Sequence, residues 1–374
     1  MADKESRFYW LDWIRFASAF AVVVCHSRSQ NWVEWGLLDP TDRTPPVRLF
    51  YTLTRPAIEV VLIFFVLSGF LVGGKVFERC LDRTFNPTAF VIDRVSRIWL
   101  PLIPALLLTA GIAWYCGFPD TLLAFFGNLF ALQGIACENF GKNGPLWSLS
   151  YEVWFYVLAW LGGMLIMGGR RGLVLLMGLT VCFFVFTKLS PMFLHCWLLG
   201  AFAYFISARK NFFNLIVPGV FLALAGIALS QAQSNSRSIN IYGLQDFLPS
   251  RNAGNLIESL GVGLLLAGAC RANPTSPLAI RFERAGVSLA AFSYTLYLTH
   301  YPLLHLWTYL LPNQSSTFDV SSLAAFGVKI ASCLLMAWLL YLPFEGQTPR
   351  VRKWLKSRFY RPRQDSKSQI AEPG

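Results

Sequence analysis

Two side chains near the start of the chain have types and a spacing that suit acid–base chemistry on a charged substrate. Ten residues separate Arg15 from His26. Eleven steps along an α-helix make almost three whole turns, so both side chains lie on one face, about 16 Å apart along the axis. Asp12 lies three residues before Arg15 and shares that face. A neutral imidazole at His26 could accept a proton from a hydroxyl group near neutral pH.

Further along the chain, Arg94 and Arg97 are three residues apart and face the same way on a helix. Guanidinium groups at that spacing suit phosphate or pyrophosphate. Glu152 follows two serines in the run LWSLSYE, and Tyr297 and His300 lie in the run SYTLYLTHYP. These hydroxyl, carboxyl and imidazole groups make each run a candidate part of a reactive site.

The composition restricts the environment in which these groups can lie. Of the 374 residues, 55% are hydrophobic and 14% are charged, against about 25% charged in an average soluble domain. This excludes an ordinary soluble enzyme and favours a lipid bilayer. The formal charge of +12 could suggest a nucleic-acid partner, but the basic residues fall between long apolar runs. They indicate membrane topology, and we expect no nucleic-acid ligand.

The elements that position the polar groups are predicted to be membrane-spanning helices, each of roughly 20 mainly apolar residues. The sequence predicts an all-α polytopic membrane protein of about ten spans, in a domain over 1–345 followed by a basic cytoplasmic tail over 346–374. The predicted spans are 8–27, 57–77, 97–116, 146–168, 172–188, 191–207, 213–230, 254–271, 287–311 and 323–345. The apolar piece 120–135 is short and is predicted to be re-entrant or interfacial.

The distribution of Lys and Arg predicts the orientation. With the N-terminus in the cytoplasm, the inner segments hold 22 basic residues and the outer segments hold eight. An even number of spans returns the C-terminus to the cytoplasm, where the basic tail can meet anionic lipid headgroups. Eight cysteines include no CxxC pair, so we expect neither a disulfide framework nor a metal site. The apolar N-terminal stretch is read as a retained helix and not as a cleaved signal peptide.

Each polar group also has a structural interpretation. Asp12 and Arg15 could simply form an internal ion pair while His26 marks the membrane interface, and Glu59 lies near the outer boundary, where a hydrated carboxylate is expected. Positive-inside bias alone could place Arg94 and Arg97. Two more intramembrane polar groups, His195 and Lys329, have no partner that the sequence identifies.

The arrangement across the bilayer is asymmetric, because the arginines lie inside while His26, Glu152, Tyr297 and His300 lie toward the outside. A reaction path across the membrane explains this arrangement economically. A secondary transporter or an exporter of a lipid-linked glycan precursor would also have ten spans and intramembrane charges, although no inverted repeat is evident. A non-catalytic scaffold predicts that Arg15, His26 and Arg94 are individually dispensable.

Five strings occur in order along the chain: Leu11-Asp12 with Arg15 and His26, FFVLSGF at 64–70, the Arg94/Arg97 pair, LWSLSYEVWFY at 146–156 and SYTLYLTHYP at 293–302. Together they resemble the acyltransferase 3 family of polytopic acyltransferases, which O-acylate carbohydrates and some other acceptors. The resemblance covers about residues 8–345. It implies an enzyme, commonly of the bacterial inner membrane, that uses acyl-CoA, most simply acetyl-CoA, as donor and a surface or exported glycan as acceptor.

The resemblance also assigns roles to particular residues. It implies that Arg15 and His26 are essential for transfer, with His26 as general base, and that Arg94 and Arg97 bind the donor. Glu152 matches the glutamate after the WSLS string, and we expect it to be catalytic with His26 and Arg15. Asp12, Glu59, Tyr297 and His300 are expected to bind the substrate. No tightly bound cofactor is expected. The chain departs from the common pattern at Trp13, Phe16 and Val153-Trp154, and Glu59 lies farther upstream of FFVLSGF than the usual acidic residue.

Overall fold

A computed structural model describes residues 9–168, 172–207, 213–239, 250–269 and 277–359. Within these residues the chain forms fifteen α-helices and no β-strand. They are α1 Tyr9–Asn31, α2 Pro45–Leu53, α3 Ala57–Ser68, α4 Lys75–Leu81, α5 Pro87–Tyr115, α6 Leu122–Leu129, α7 Leu146–Ile166, α8 Gly172–Lys188, α9 Pro191–Ser207, α10 Ile216–Ile239, α11 Arg251–Ala269, α12 Pro277–Ala290, α13 Ser293–Leu310, α14 Val320–Tyr341 and α15 Thr348–Phe359. The all-α prediction is confirmed for this part of the chain.

A described helix overlaps every one of the ten predicted spans. By length and composition, five helical segments are able to cross a membrane: Pro45–Leu81, Pro87–Tyr115, Leu146–Ile166, Ile216–Gln233 and Val320–Phe359. The helices α8 and α9 are apolar but shorter, and they have the predicted bounds 172–188 and 191–207. Ten spans and cytoplasmic termini stay predictions, because basic segments at 1–7, 170–171, 209–210, 271–276 and 360–374 lie outside the described residues.

The predicted span 287–311 is wrong at its start. The helix is interrupted between Ala290 and Ser293, where the Ser293 hydroxyl donates a hydrogen bond to the Ala290 carbonyl at 2.8 Å. Residues before the break belong to α12, which packs on α1: the Trp13 indole stacks on Phe282 at 4.3 Å and donates to its carbonyl. A side chain at Gly286 would meet the Trp13 ring at 2.5 Å. Residues 287–290 therefore end α12, which packs on α1, and do not begin α13.

The segment FFVLSGF is held by close backbone packing. The end of α3 continues through a π-helical stretch, Gly69–Gly74, into α4. A Cβ at Gly69 would lie 1.9 Å from the Trp197 carbonyl oxygen, and a Cβ at Gly200 would lie 2.0 Å from that of Val66. Because only glycine allows two helices to approach this closely, α3 and α9 are fixed against each other. The continuous helical rod from Ala57 to Leu81, called here the α3–α4 rod, forms one wall of the cavity described below.

Candidate functional site

A cavity of about 310 Å³ lies among α3, α4, α5, α7 and α13, within the usual size range of ligand sites. Its lining on the α3–α4 rod extends from Val61 to Arg79. That distance along a helix is roughly 27 Å, nearly the thickness of the hydrocarbon core of a bilayer. The middle of the wall is apolar, with Phe64, Leu67 and Leu71 among its residues. The cavity is therefore narrow, long and parallel to the helix axes.

One end of this cavity, called here the arginine end, is strongly basic. Its charged lining consists of Arg15, Lys75, Arg79, Asp93, Arg94, Arg97, Glu152 and Arg352. Six cationic groups thus face two carboxylates. A concave, partly desolvated surface with this excess of positive charge concentrates anions. Arg94 and Arg97 both line this end, and their role as phosphate binders at the inner face stays a prediction.

Aromatic and acidic neighbours hold the two predicted phosphate binders in different ways. The Arg94 guanidinium lies over the Tyr156 ring, 5.2 Å from its centroid. The Tyr156 hydroxyl donates to Glu152 Oε1 at 2.5 Å, and Glu152 lies within electrostatic range of Arg97. Glu152 therefore orients this cluster from one side of the cavity. The Arg94 Nε atom has no hydrogen-bond partner among the described residues, so it can donate to a ligand.

The ion pair expected between Asp12 and Arg15 is present, with Arg15 Nη1 3.3 Å from Asp12 Oδ1. Arg15 lines the cavity, whereas Asp12 is absent from its described lining. Asp12 consequently holds Arg15 in place and does not itself face the cavity. Direct contact between Asp12 and a substrate stays a prediction that this geometry does not favour.

The two predicted histidines form a hydrogen-bonded pair between α1 and α13. His26 Nδ1 lies 2.9 Å from His300 Nε2, and His300 Nδ1 lies 2.8 Å from the Tyr297 carbonyl oxygen. A carbonyl oxygen can only accept, so His300 Nδ1 carries a proton and its Nε2 is the acceptor. His26 Nδ1 must then be the donor to His300. In its neutral form His26 therefore keeps an unprotonated Nε2, which is the atom a general base requires.

Tyr297 connects the histidine pair to the cavity. It lines the cavity, and its hydroxyl is bonded to Ser148 Oγ at 2.7 Å and to the Pro145 carbonyl at 3.2 Å. The Tyr297 ring centroid lies 5.9 Å from that of His300. Neither histidine belongs to the described lining. Tyr297 thus lies between the cavity and the pair, and the described residues form no polar passage open from the arginines to His26.

The remaining predicted residues lie elsewhere. The hydrated position expected for Glu59 is wrong, because its side chain is fully buried and bonded to Ser230 and Arg251, with Arg251 Nη2 at 3.4 Å. Packing of α10 and α11 over α3 removes it from solvent. Lys329 is buried and donates to the Gln30 carbonyl at 3.5 Å, which gives it a structural partner. His195 is exposed on α9.

The polar residues of the cavity to which the sequence assigns no role include Ser148, Tyr156, Tyr294 and Arg352. Three of them lie inside the quoted strings, so their position in those strings was an available signal. Arg352 was counted only as one of several basic residues in the tail. Its place beside the cavity follows from the packing of α15 against α5, which no local pattern predicts.

These features define a class of protein: an α-helical membrane protein with a long cavity, basic at one end and close to a histidine pair at the other. A family model described as an acyltransferase domain matches residues 8–342, which makes the chain a membrane acyltransferase. The chain belongs to the acyltransferase 3 family. No curated protein matches the chain, and no solved structure matches it.

Proposed function

We propose that this protein transfers an acyl group, most simply acetyl, from acyl-CoA in the cytoplasm to a hydroxyl group of a glycan at the opposite face of the inner membrane of a bacterium. The observation that carries the proposal is the single cavity that joins Arg15, Arg94 and Arg97 to the Tyr297 ring beside the histidine pair. Its basic end suits the donor phosphates, and its apolar middle suits an extended thioester arm.

In this proposal the arginine end faces the cytoplasm. Arg94 and Arg97 bind the phosphates of the donor, and Arg15, positioned by Asp12, lies at the level where the arm enters the apolar section. Glu152 balances charge and orients Tyr156 beside Arg94. The thioester reaches Tyr297, and a shift of that side chain exposes it to His26.

The transfer step uses His26 as general base. Its free Nε2 takes the proton of the acceptor hydroxyl, the oxygen attacks the thioester carbonyl, and an ester forms as the carbon–sulfur bond breaks. The imidazolium then returns the proton to the departing thiolate, so no net proton is consumed. His300 fixes the tautomer of His26, and a base in this position contributes about 10²–10⁴-fold in rate.

The decisive experiment measures acylation of glycans by mass spectrometry in cells that express the wild type, His26→Ala or His195→Ala. His195 is a matched control because it is an exposed histidine on α9. We expect the added acyl mass with the wild type and His195→Ala, and its absence with a correctly inserted His26→Ala protein. Full acylation by His26→Ala would refute the proposed mechanism. Movement of a glycan precursor without consumption of acyl-CoA would instead identify an exporter.

A further inference from the structure

A second cavity of about 220 Å³ lies beside the arginine end. It is formed by the end of α14, the turn after it and the start of α15, with Tyr341, Gly346 and Pro349 in its lining. Arg97 and Arg352 line both cavities. These two guanidinium groups therefore stand where the main cavity and the second cavity meet.

The donors in the second cavity suit a phosphate group. Thr348, the first residue of α15, is 9% exposed, and its buried hydroxyl oxygen has no hydrogen-bond partner. The N-terminal end of a helix carries partial positive charge, and the first turn of α15 contains no acidic residue. An unpartnered hydroxyl, a helix N-terminus and two arginines are the groups that bind phosphate in proteins.

Two carboxylates lie near this site, and each also binds a group other than the two arginines. Glu345 lines the second cavity, but its Oε2 accepts hydrogen bonds from the backbone and hydroxyl of Thr295 at 3.1 and 2.6 Å. Asp93 on α5 pairs with Arg352 Nε at 3.3 Å and with Lys356 Nζ at 2.9 Å. Asp93 thus fastens α15 to α5 and positions Arg352. Asp93 lies beside Nε, and the two Nη groups of Arg352 make no hydrogen bond to the described residues, so the guanidinium retains donors for a ligand.

We propose that the second cavity binds the phosphate-bearing nucleotide end of the acyl donor, with Arg352, Arg97 and the Thr348 hydroxyl as its ligands. The inference rests on the proposed function, and it locates the two ends of the donor in different cavities. The acyl-bearing arm occupies the main cavity, and the chain of the donor passes between Arg97 and Arg352. The Tyr341 ring offers a stacking surface to the nucleobase.

The test measures equilibrium binding of coenzyme A and of pantetheine, which lacks the nucleotide, to the purified full-length protein in phosphatidylcholine nanodiscs. Three proteins are compared: the wild type, Arg352→Gln and Arg358→Gln. Arg358 is the matched control, since it lies in the last turn of the same helix, is exposed and lines neither cavity. Thr348→Val supplies a second variant that keeps the charge of the site.

We expect Arg352→Gln to weaken coenzyme A binding about 10-fold or more, as loss of a charged hydrogen bond predicts. Thr348→Val should weaken it less, and Arg358→Gln should leave it unchanged. Pantetheine binding should be equal in all four proteins. An equal affinity for coenzyme A in Arg352→Gln and the wild type would overturn the inference, while failure of the wild type to bind coenzyme A at all would overturn the proposed function.

An anionic lipid headgroup presents the same phosphate chemistry, so the measurement is repeated in nanodiscs that contain phosphatidylglycerol. If the donor occupies the second cavity, the effect of Arg352→Gln persists in both lipids. If Arg352→Gln loses affinity for coenzyme A only in the nanodiscs that contain phosphatidylglycerol, the cavity is assigned to lipid and the inference is overturned. The thermal midpoint of Arg352→Gln, measured without ligand, confirms that α15 stays folded.

Discussion

The two ends of the main cavity are built in different ways. The arginine end collects cations from α1, α4, α5 and α15, held by carboxylates and aromatic rings. At the other end, called here the histidine end, Tyr297 lines the cavity, and His300 and His26 lie behind it. Under the proposed function, this difference separates donor binding from proton transfer along the length of the cavity. Variants at the arginine end should change donor affinity, and variants at the histidine end should change the rate of transfer.

The largest expected effect is at the histidine end. His26→Ala removes the free Nε2 and should lower kcat by about 10²–10⁴-fold while the affinity for coenzyme A stays within twofold. The measurement combines a thiol-release assay with equilibrium binding, and His195→Ala serves as the control. A His26→Ala protein that loses donor affinity and keeps kcat would contradict the separation of the two ends.

At the arginine end, Arg97→Gln should weaken donor binding by roughly 10–100-fold, because one or two hydrogen bonds to a charged group are lost. The effect should appear in KM for the donor, with a much smaller change in kcat. Arg358→Gln again controls for the lost charge. If Arg97→Gln lowers kcat and leaves donor affinity intact, Arg97 acts on the reaction and not on phosphate binding.

His300→Ala tests how far the rate of transfer depends on His300, which acts through His26. Loss of the acceptor for His26 Nδ1–H should reduce kcat up to about 10-fold, as expected for one hydrogen bond. His300→Gln should restore most of the rate, since its amide oxygen can accept that hydrogen bond. Unchanged rates in His300→Ala would show that His26 needs no partner to keep its tautomer.

The smallest effect is expected away from both ends of the main cavity, on the stability of the N-terminus of α14. Hydrogen bonds from the Ser322 backbone and from the Ser321 and Thr317 hydroxyls lower the pKa of Asp319 to about 2. A carboxylate with a lowered pKa contributes stability above its unfolded pKa and loses it only as pH falls through the folded pKa. The thermal-midpoint difference between the wild type and Asp319→Ala should therefore be small and constant from pH 5 to 8. A difference that changes within this interval would contradict the assigned cap.

The sequence predicted the helices well where apolar runs are bounded by polar turns. The end of α8 at Lys188 and the start of α9 at Pro191 follow directly from the short polar turn between them. The predicted span 287–311 was wrong, because apolar residues continue through the interruption of the helix before Ser293. Hydropathy measures the length of an apolar run and cannot detect a change in helix direction within it.

In the candidate site, as in the fold, the sequence predicted the local contacts and missed those between distant helices. Spacing on one helix predicted the contact of Asp12 with Arg15, because i,i+3 side chains meet whatever the rest of the fold does. The burial of Glu59 was predicted wrongly, since it depends on Arg251 and Ser230 from distant helices. For the same reason Arg352 could not be assigned to the cavity from the sequence.

The amino-acid sequence is enough to establish the helical membrane class, the resemblance to a known family and the types of polar group that each helix carries. These properties depend on composition and on local periodicity, which are fixed by residues close together in the chain. Only the tertiary structure decided that His26 donates to His300, that Tyr297 closes the cavity below them and that α15 brings Arg352 to Arg97. Those relations join residues hundreds of positions apart, and the packing of whole helices sets them.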